Sequence, residues 1–513
     1  MALRGTVRRS FYQDSMVLMR IAGELRGRPG VREAAALMGT AANHELLASA
    51  GLEAPPVRDA TAADLMLVVE AESDAVADAA IEAAHELLDA RGRLRETAGR
   101  MLPRTLGSAV RQLPDANLVT ISVPGAYAKL EAMAALRRGL HVFLFSDNVP
   151  LADEIALKRV ATEKGLLCMG PDCGTGYLNG VGLGFANVVP RGRIGCVSAS
   201  GTGLQAVASR LASLGEGISH GIGVGGRDLS AEVGGVMTAF ALEALGADRS
   251  TELIVVISKP PAPAALARLK AAIGVIGKPV VVCCLGASGP AGGAGRWVAT
   301  LEDAAEAATA DVRGTPWVPR AFSDAEDVRV RLSRIEAGPR RGGTLLGLFV
   351  GGTLAHEARL VLEPWLEQVS PSATAGGRHR ILDLGADEYT VGRPHPMLDP
   401  VARDAMVREA GRDPSVRVLL LDLVLGRGTH PDPARSLAAA VEDARATATR
   451  VGRELTVVAS AIGTEGDPQG LGGQVAALES AGVHVFPGSA QAARFAALAL
   501  DSALAPRILE GRE

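Results

Sequence analysis

Two stretches of this sequence place glycine and hydroxyl residues where an apolar run gives way to a helical pattern. The first reads Ile194-Gly-Cys-Val-Ser198-Ala-Ser200-Gly201-Thr202-Gly203-Leu-Gln-Ala-Val, and the second reads Gly347-Leu-Phe-Val350-Gly351-Gly352-Thr353-Leu-Ala-His356. A helix starting at such a turn leaves its first N–H groups without partners, and glycine lets an anion approach them closely. Ser198, Ser200 and Thr202 add hydroxyls to the first turn, and Thr353 adds one to the second. A single turn of this kind often does no more than turn a corner, but two in matched positions point to a ligand. Neither is followed by Gly-Lys-Ser/Thr, and lysine is scarce nearby, so the expected ligand is phosphate, a phosphorylated metabolite or another oxyanion, and not a nucleoside triphosphate.

Other polar groups also sit just past apolar strands. His220-Gly-Ile-Gly-Val-Gly225-Gly226-Arg227-Asp228 can present Arg227 to a carboxylate or phosphate in bidentate fashion, the alternative being a surface salt bridge to Asp228. Asp383-Leu-Gly385-Ala-Asp387-Glu388, Arg393-Pro-His395-Pro-Met-Leu-Asp399 and Asp422-Leu-Val-Leu-Gly426-Arg427-Gly428-Thr429-His430-Pro-Asp432 are the remaining constellations. His395 and His430 could act as acid, base or phosphate hydrogen-bond donor, or could cap a turn. Asp399 and Asp432 precede prolines and could equally be helix N-caps.

The elements that must hold these residues are legible from periodicity. Residues 1 to 100 read as strand, helix, strand, strand, helix, a small α+β module of split βαβ, ferredoxin-like type without a chemical motif. Arg91 to Ala109 reads as a connector. From Asn117 the pattern becomes apolar strands alternating with helices, as in parallel α/β winding. Gly338 to Gly343 reads as a linker, and the regions on either side of it open alike, with their glycine turns roughly 150 residues apart, about one domain length. Two similar domains should therefore carry their ligand sites at the carboxyl ends of their strands.

The composition fits. Of 513 residues 48% are hydrophobic and only 3% aromatic, with 61 glycines, which suits βα units packed through small aliphatic side chains. The net charge of −4 and the scattered arginines leave no footprint for nucleic acid. No window approaches the ~20 apolar residues of a membrane span, and no apolar leader follows Met1, so the expected location is cytoplasmic. The five cysteines, Cys168, Cys173, Cys196, Cys283 and Cys284, follow neither metal-ligand nor disulfide spacing, and four of them read as core thiols.

With these residues in view, residues 115 to 300 resemble the α subunit of succinyl-CoA synthetase, and the whole chain resembles the FdrA family of acyl-CoA-synthetase-like proteins. The motifs that carry the resemblance are Val123-Pro-Gly-Ala126, Gly170-Pro-Asp-Cys-Gly174, Arg193 through Gly201 and Gly223-Val-Gly-Gly-Arg-Asp-Leu-Ser230. Residues 344 to 500 resemble the ligase domain of the β subunit through Gly351-Gly352-Thr353 and the segment Leu419 to Gly428. The resemblance implies a Rossmann-like unit at 110–190 and two flavodoxin-like parallel α/β domains of succinyl-CoA synthetase type at 191–337 and 343–513, preceded by the α+β module. It further implies that both glycine turns face one phosphate.

The departures redirect the expected chemistry. Where the ligases carry a phosphorylated histidine, this chain reads Gly286 to Gly295 without one. The glycine fingerprint of a CoA-binding unit is missing, no ATP-grasp-like stretch is evident, and Asp172 stands where the ligases usually have Asn. What remains suits transfer of a carbamoyl or acyl group to phosphate without a covalent enzyme intermediate. Members of the FdrA family are associated with ureide breakdown, in which oxalurate and phosphate give oxamate and carbamoyl phosphate in a multi-component carbamoyltransferase.

The expected phosphate and substrate site is therefore Ser198, Ser200, Gly201, Thr202, Gly203, Gly225, Gly226, Gly351, Gly352, Thr353, Gly426 and Arg427, with Arg227, His430 and His395 as the catalytic candidates and no metal. No cofactor is required: phosphate or carbamoyl phosphate enters as substrate, and CoA is implied only by the resemblance. The expected partners are a phosphorylated or carbamoylated carboxylate and other subunits of a homo- or hetero-oligomer. Two alternatives stand beside this reading, an acyl-CoA synthetase subunit and a non-catalytic subunit that senses a phosphometabolite.

Overall fold

The computed structural model describes residues 2–13, 15–96, 103–289, 294–336, 343–372, 377–390 and 394–510. The linker expected at 338–343 therefore lies almost wholly outside the described residues, as do parts of the connector and of the loop after Gly286. The chain divides into two compact units, residues 1–115 with 390–394, and residues 116–389 with 395–513.

In the first unit β1 (Ala2–Arg8), α1 (Ser15–Arg26), β2 (Val31–Met38), α2 (Ala41–Ser49), β3 (Leu65–Ala71) and α3 (Asp74–Glu96) are followed by the short α4 (Leu106–Gln112). β3 lies between β1 and β2 and runs antiparallel to both, which makes β1-α1-β2 a split βαβ unit. The core of this unit is aliphatic: Leu65, Leu67 and Val69 on β3 pack with Leu18, Ile21 and Leu25 of α1 and with alanines of α3.

The second unit opens with a three-stranded parallel sheet of β4 (Leu118–Ile121), β5 (His141–Leu144) and β6 (Cys168–Met169), wound through α5 (Gly125–Arg137) and α6 (Leu151–Glu163). Next come β7 (Thr175–Leu178), β8 (Val181–Gly184), β9 (Arg191–Ser198), α7 (Gly201–Ser213), β10 (Ile218–Gly223), α8 (Val236–Ala247), β11 (Leu253–Ser258), α9 (Pro263–Val275), β12 (Val280–Cys284), β13 (Arg296–Trp297), α10 (Leu301–Arg313) and α11 (Ala325–Glu336). The last region contains β14 (Thr344–Phe349), α12 (Gly352–Leu362), β15 (Val369–Ser370), β16 (His379–Asp383), α13 (Asp387–Thr390), α14 (Val401–Arg412), β17 (Val416–Val424), α15 (Pro433–Arg450), β18 (Thr456–Ile462), α16 (Leu471–Ser480), β19 (Val483–Phe486) and α17 (Ser489–Leu500).

Both larger sheets have one design. Leaving out the antiparallel hairpin β7–β8 and the short edge strand β15, their orders are β10-β9-β11-β12-β13 and β16-β14-β17-β18-β19, all parallel. In each, the first strand sits between the second and the third, the flavodoxin-like order, whose ligand crevice lies at the carboxyl end beside that first strand. The hairpin β7–β8 precedes residue 191 yet joins the β9 sheet through β10, so that sheet begins earlier in the chain than the sequence pattern suggests. One apolar core runs through both lobes, with Leu204, Val207 and Leu211 of α7, Leu354 and Ala358 of α12, and Phe495 of α17 all fully buried. All five cysteines are buried, and burial pushes Cys168, Cys173, Cys196 and Cys284 up to about 12, which makes them unreactive core thiols.

Candidate functional site

β9 delivers the first turn. Ser198 Oγ donates to the Ser200 carbonyl at 2.7 Å and accepts from the Ser200 N–H at 3.1 Å, which fixes the bend between strand and helix. Ser200 then caps α7: its Oγ accepts from the Gly203 N–H at 2.8 Å and donates to Thr353 Oγ1 at 2.6 Å. Thr353 belongs to the first turn of α12, so the starts of the two helices meet at this hydroxyl pair. The N–H groups of Gly201, Thr202, Gly352 and Thr353 have no protein acceptor among the described residues. Two helix starts thus turn uncommitted donors toward one place.

The second turn is built differently. Asp422, near the end of β17 and fully buried, accepts from Val350 N–H through Oδ1 and from Gly351 N–H through Oδ2, each at 2.8 Å. Burial pushes its carboxyl up to about 6, against the pull of Arg403 and of those two amides. Arg403 on α14, itself buried, donates to the Asp422 carbonyl at 2.9 Å. From the other flank comes Asp383, paired with Phe349 at the end of β16. Its Oδ1 accepts from Gly385 N–H at 3.0 Å, and its Oδ2 lies so close over Gly352 that a β-carbon there would stand 2.2 Å away. Only glycine fits at that position. Burial raises the Asp383 carboxyl, while the charge of Lys259, just past β11, lowers it. Lys259 also reaches His356 on α12, whose imidazole is brought down to about 4 by burial first, then by Arg359 and Lys259.

The other expected residues divide. His395 comes close: a β-carbon on Gly385 would lie 2.6 Å from its Nε2, and its ring faces Phe185 at 6.4 Å. Its Nδ1 accepts from Met397 N–H at 3.2 Å, and burial holds it at about 4, so it is neutral with its proton on Nε2. The ring of His430 caps its own turn by accepting from Asp432 N–H at 3.1 Å. Asp432 in turn is the N-cap residue of α15. Arg393 lies outside the described residues.

Three groups of expected residues are tied to other parts of the fold. Arg227 is not a free clamp, because its Nε pairs with Glu154 at 2.9 Å and its Nη2 donates to the Val149 carbonyl at 2.7 Å. Nor does it pair with Asp228, which is buried and bound to Lys158 at 2.8 Å, with Glu154 on the other side of that ammonium. Gly225 and Gly226 continue from β10 beside Ser198, but Gly225, at φ +85°, serves a close approach to the Pro171 carbonyl. Gly426 and Arg427 form a backbone bridge to Ala186, with Arg427 N–H donating to the Ala186 carbonyl at 2.8 Å. Gly426 is needed there for its φ of +123° and its contact with Ala186, so the backbone of this segment serves as a joint between lobes. The joint continues through Asn187, which donates to the Leu425 carbonyl at 3.0 Å and to Asp467 at 2.8 Å.

Lys259 was not expected here, and Asp383 and Asp422, which open two of the polar constellations, were not placed in the phosphate site. The signal for the acids is a carboxylate within an apolar strand, Val416 to Leu425 above all, because such a charge must find partners inside the fold.

Comparison with known proteins accords with this architecture. A family described as AllF, heavy metal-associated domain, matches residues 1–101, and one described as CoA-ligase matches residues 348–499. The chain is 38% identical over 500 residues to the uncharacterized protein YahF of Escherichia coli, covering 94% of this chain and 96% of YahF. It is 28% identical over 221 residues to the mitochondrial subunit alpha-2 of an ADP-forming succinate-CoA ligase of Trichomonas vaginalis, covering 38% of this chain and 69% of that one. Among solved structures, the dinucleotide-forming acetyl-coenzyme A synthetase 1 of Ca. Korarchaeum cryptofilum with phosphate and ADP aligns at 16% identity over 77% of this chain and 84% of its own, with a TM-score of 0.26, too loose an overlay to bear on the site.

The donors for a heavy metal do not accompany the first family's name. Residues 1–101 contain no cysteine, and among the described residues no three His, Cys, Asp or Glu side chains converge on a metal position. Also among the described residues, no helix is long and apolar enough to cross a membrane.

Proposed function

This chain belongs to the FdrA family of acyl-CoA-synthetase-like proteins, and from that premise we propose that it is the phosphate-handling component of a carbamoyltransferase. The observation that carries the reading is the meeting of two helix starts at Ser200 and Thr353, with four uncommitted N–H groups around that contact. Such a place holds the oxygens of a phosphoryl group and stabilises the charge that develops on them in transfer.

The proposed reaction joins oxalurate and hydrogen phosphate. A phosphate oxygen attacks the carbamoyl carbon, the bond from that carbon to the oxamate nitrogen breaks, and the proton of hydrogen phosphate ends on that nitrogen. The products are carbamoyl phosphate and oxamate, without a covalent enzyme intermediate. Ser200, Gly201 and Thr202 hold the phosphoryl oxygens, Gly352 and Thr353 close the same cradle from the start of α12, and neutral His395 offers its Nε2 proton as a hydrogen-bond donor nearby. Further subunits belong to the proposal, since this chain supplies one component.

Release of carbamoyl phosphate from oxalurate and phosphate, by this chain with and without the proteins encoded beside it, tests the reading; no product in any combination defeats it. Thr202→Val should weaken phosphate binding roughly 10-fold by calorimetry, the loss of one charge-assisted hydrogen bond.

The alignment with a succinate-CoA ligase subunit favours a second reading, an acyl-CoA synthetase subunit. The described residues do not fit CoA: among them the Rossmann-like sheet has three strands, β4-β5-β6, and no strand, glycine turn and helix that would hold a pyrophosphate precede them. No step is routed through CoA. Heat released on titration with CoA would revive this reading.

A further inference from the structure

The two turns are equivalent in register but opposite in charge. Ser198 pairs with Gly223 on β10 and Ile257 on β11, whereas Phe349 pairs with Asp383 on β16, and Asp422 follows Leu421, the partner of Leu348, on β17. Gly223 and Ile257 therefore occupy in one lobe the places that Asp383 and Asp422 occupy in the other. The first turn of α7 carries no acidic residue, and the amides of Gly201 and Thr202 have no acceptor among the described residues. The start of α12 is already flanked by two carboxylates.

Their commitments differ. Both oxygens of Asp422 are taken by backbone amides. Asp383 has only Oδ1 engaged, leaving Oδ2 over Gly352 without a hydrogen-bond partner among the described residues. A second anion placed there would meet like charge, and an alkyl group would strip water from the carboxylate and return nothing. A group bearing N–H would satisfy it.

Resting on the carbamoyltransferase reading, the geometry points to Asp383 as the residue that selects a carbamoyl group over an acyl group of the same shape. The phosphoryl end lies against α7, at Ser200, Gly201 and Thr202. The carbonyl substituent lies at the start of α12, where the NH₂ of a carbamoyl group donates to Asp383 Oδ2 and a methyl or methylene group cannot. Lys259 offsets the negative charge that Asp383 brings near the phosphate. Sites built to hydrogen-bond a substrate N–H reject the analogue lacking it far more strongly than apolar pockets discriminate by size.

A pair of stable isosteres tests this directly. Phosphonoacetamide and acetonylphosphonate differ only in NH₂ against CH₃, and both carry the phosphonate expected at α7. By calorimetry the full chain should bind the amide about 100-fold more tightly than the ketone. Asp383→Ala should reduce that ratio to near unity while leaving inorganic phosphate bound at least as tightly as in the wild type. Asp383→Asn, which keeps the side-chain volume and an acceptor for Gly385, should give an intermediate ratio and verifies folding through an unchanged melting temperature. Equal affinities in the wild type, or a preference that survives Asp383→Ala, overturns the role of Asp383 and leaves the phosphate cradle standing. Failure of phosphate and both phosphonates to bind overturns the cradle itself, and with it the reading on which this inference rests.

Discussion

The turn before α7 and the turn before α12 share a backbone plan and part ways in how the first N–H groups are answered. Ala199 N–H donates to the Ile257 carbonyl at 2.9 Å, an ordinary sheet continuation, whereas Val350 N–H donates to the Asp422 carboxylate. Ser200 caps one helix through its own hydroxyl, while Gly351 at the start of the other has no side chain to do so, and Asp422 instead binds the Gly351 N–H just ahead of that helix. A repeated fold has therefore not repeated its binding chemistry. One copy leaves its helix start clear of acids, and the other sets two carboxylates beside it. The difference teaches that two helix starts can face one ligand and still ask for opposite things from its two ends.

The largest expected effect comes from removing the acid that fills the second turn. Asp422→Ala leaves the Val350 and Gly351 amides buried without acceptors and should destabilise the protein by roughly 2–5 kcal/mol in denaturant unfolding. The matching change in the first lobe, Ile257→Val, should cost only about 1 kcal/mol, because Ala199 is held by a main-chain carbonyl that the substitution retains. Equal losses would mean that the two turns are held alike.

Titration sharpens the same contrast. The folded protein raises Asp422 from 3.8 to about 6, so the native state binds its proton more tightly than the unfolded chain does. Its contribution to stability is then complete below about pH 4, falls as pH rises to about 6, and is flat above, a change of about 3 kcal/mol. Asp422→Asn should flatten that window relative to wild type in unfolding measured from pH 4 to 7. The first turn has no acid in register and contributes no such slope.

The repeat and both turns were legible because local patterns suffice for them: an apolar strand, glycine, a hydroxyl, then helical spacing. The split βαβ module was legible for the same reason, its three strands and two longest helices falling in the expected order. What local pattern cannot give is sheet register, and the acids enter by register alone. Asp383 and Asp422 lie about 30 and 70 residues from Val350 in sequence and flank it only because β16 and β17 pair with β14 on either side. The joint at Gly426 and Arg427 was hidden for a related reason. A glycine pair around an arginine looks the same whether its positive φ serves an anion or the backbone of another segment, and here that segment, at Ala186, lies about 240 residues earlier in the chain. Arg227 likewise looked available until α6 supplied Glu154.

The smallest expected effect bears on whether the two helix starts act as a unit. Ser200→Ala removes the cap on Gly203 and the bond to Thr353, and should cost about 1–2 kcal/mol of stability. Thr353→Val keeps the shape and removes only the acceptor, so it should cost less, about 1 kcal/mol. If the hydroxyl pair couples the lobes, the double variant should lose less than the sum by roughly 0.5–1.5 kcal/mol, the lower part of the range of about 0.5–3 kcal/mol found for groups in direct contact. Simple additivity would instead mean that each hydroxyl serves only its own helix. In that case the lobes are held by the joint at Ala186, Asn187 and Leu425, and the pairing of Ser200 with Thr353 is a consequence of that joint instead of a part of it.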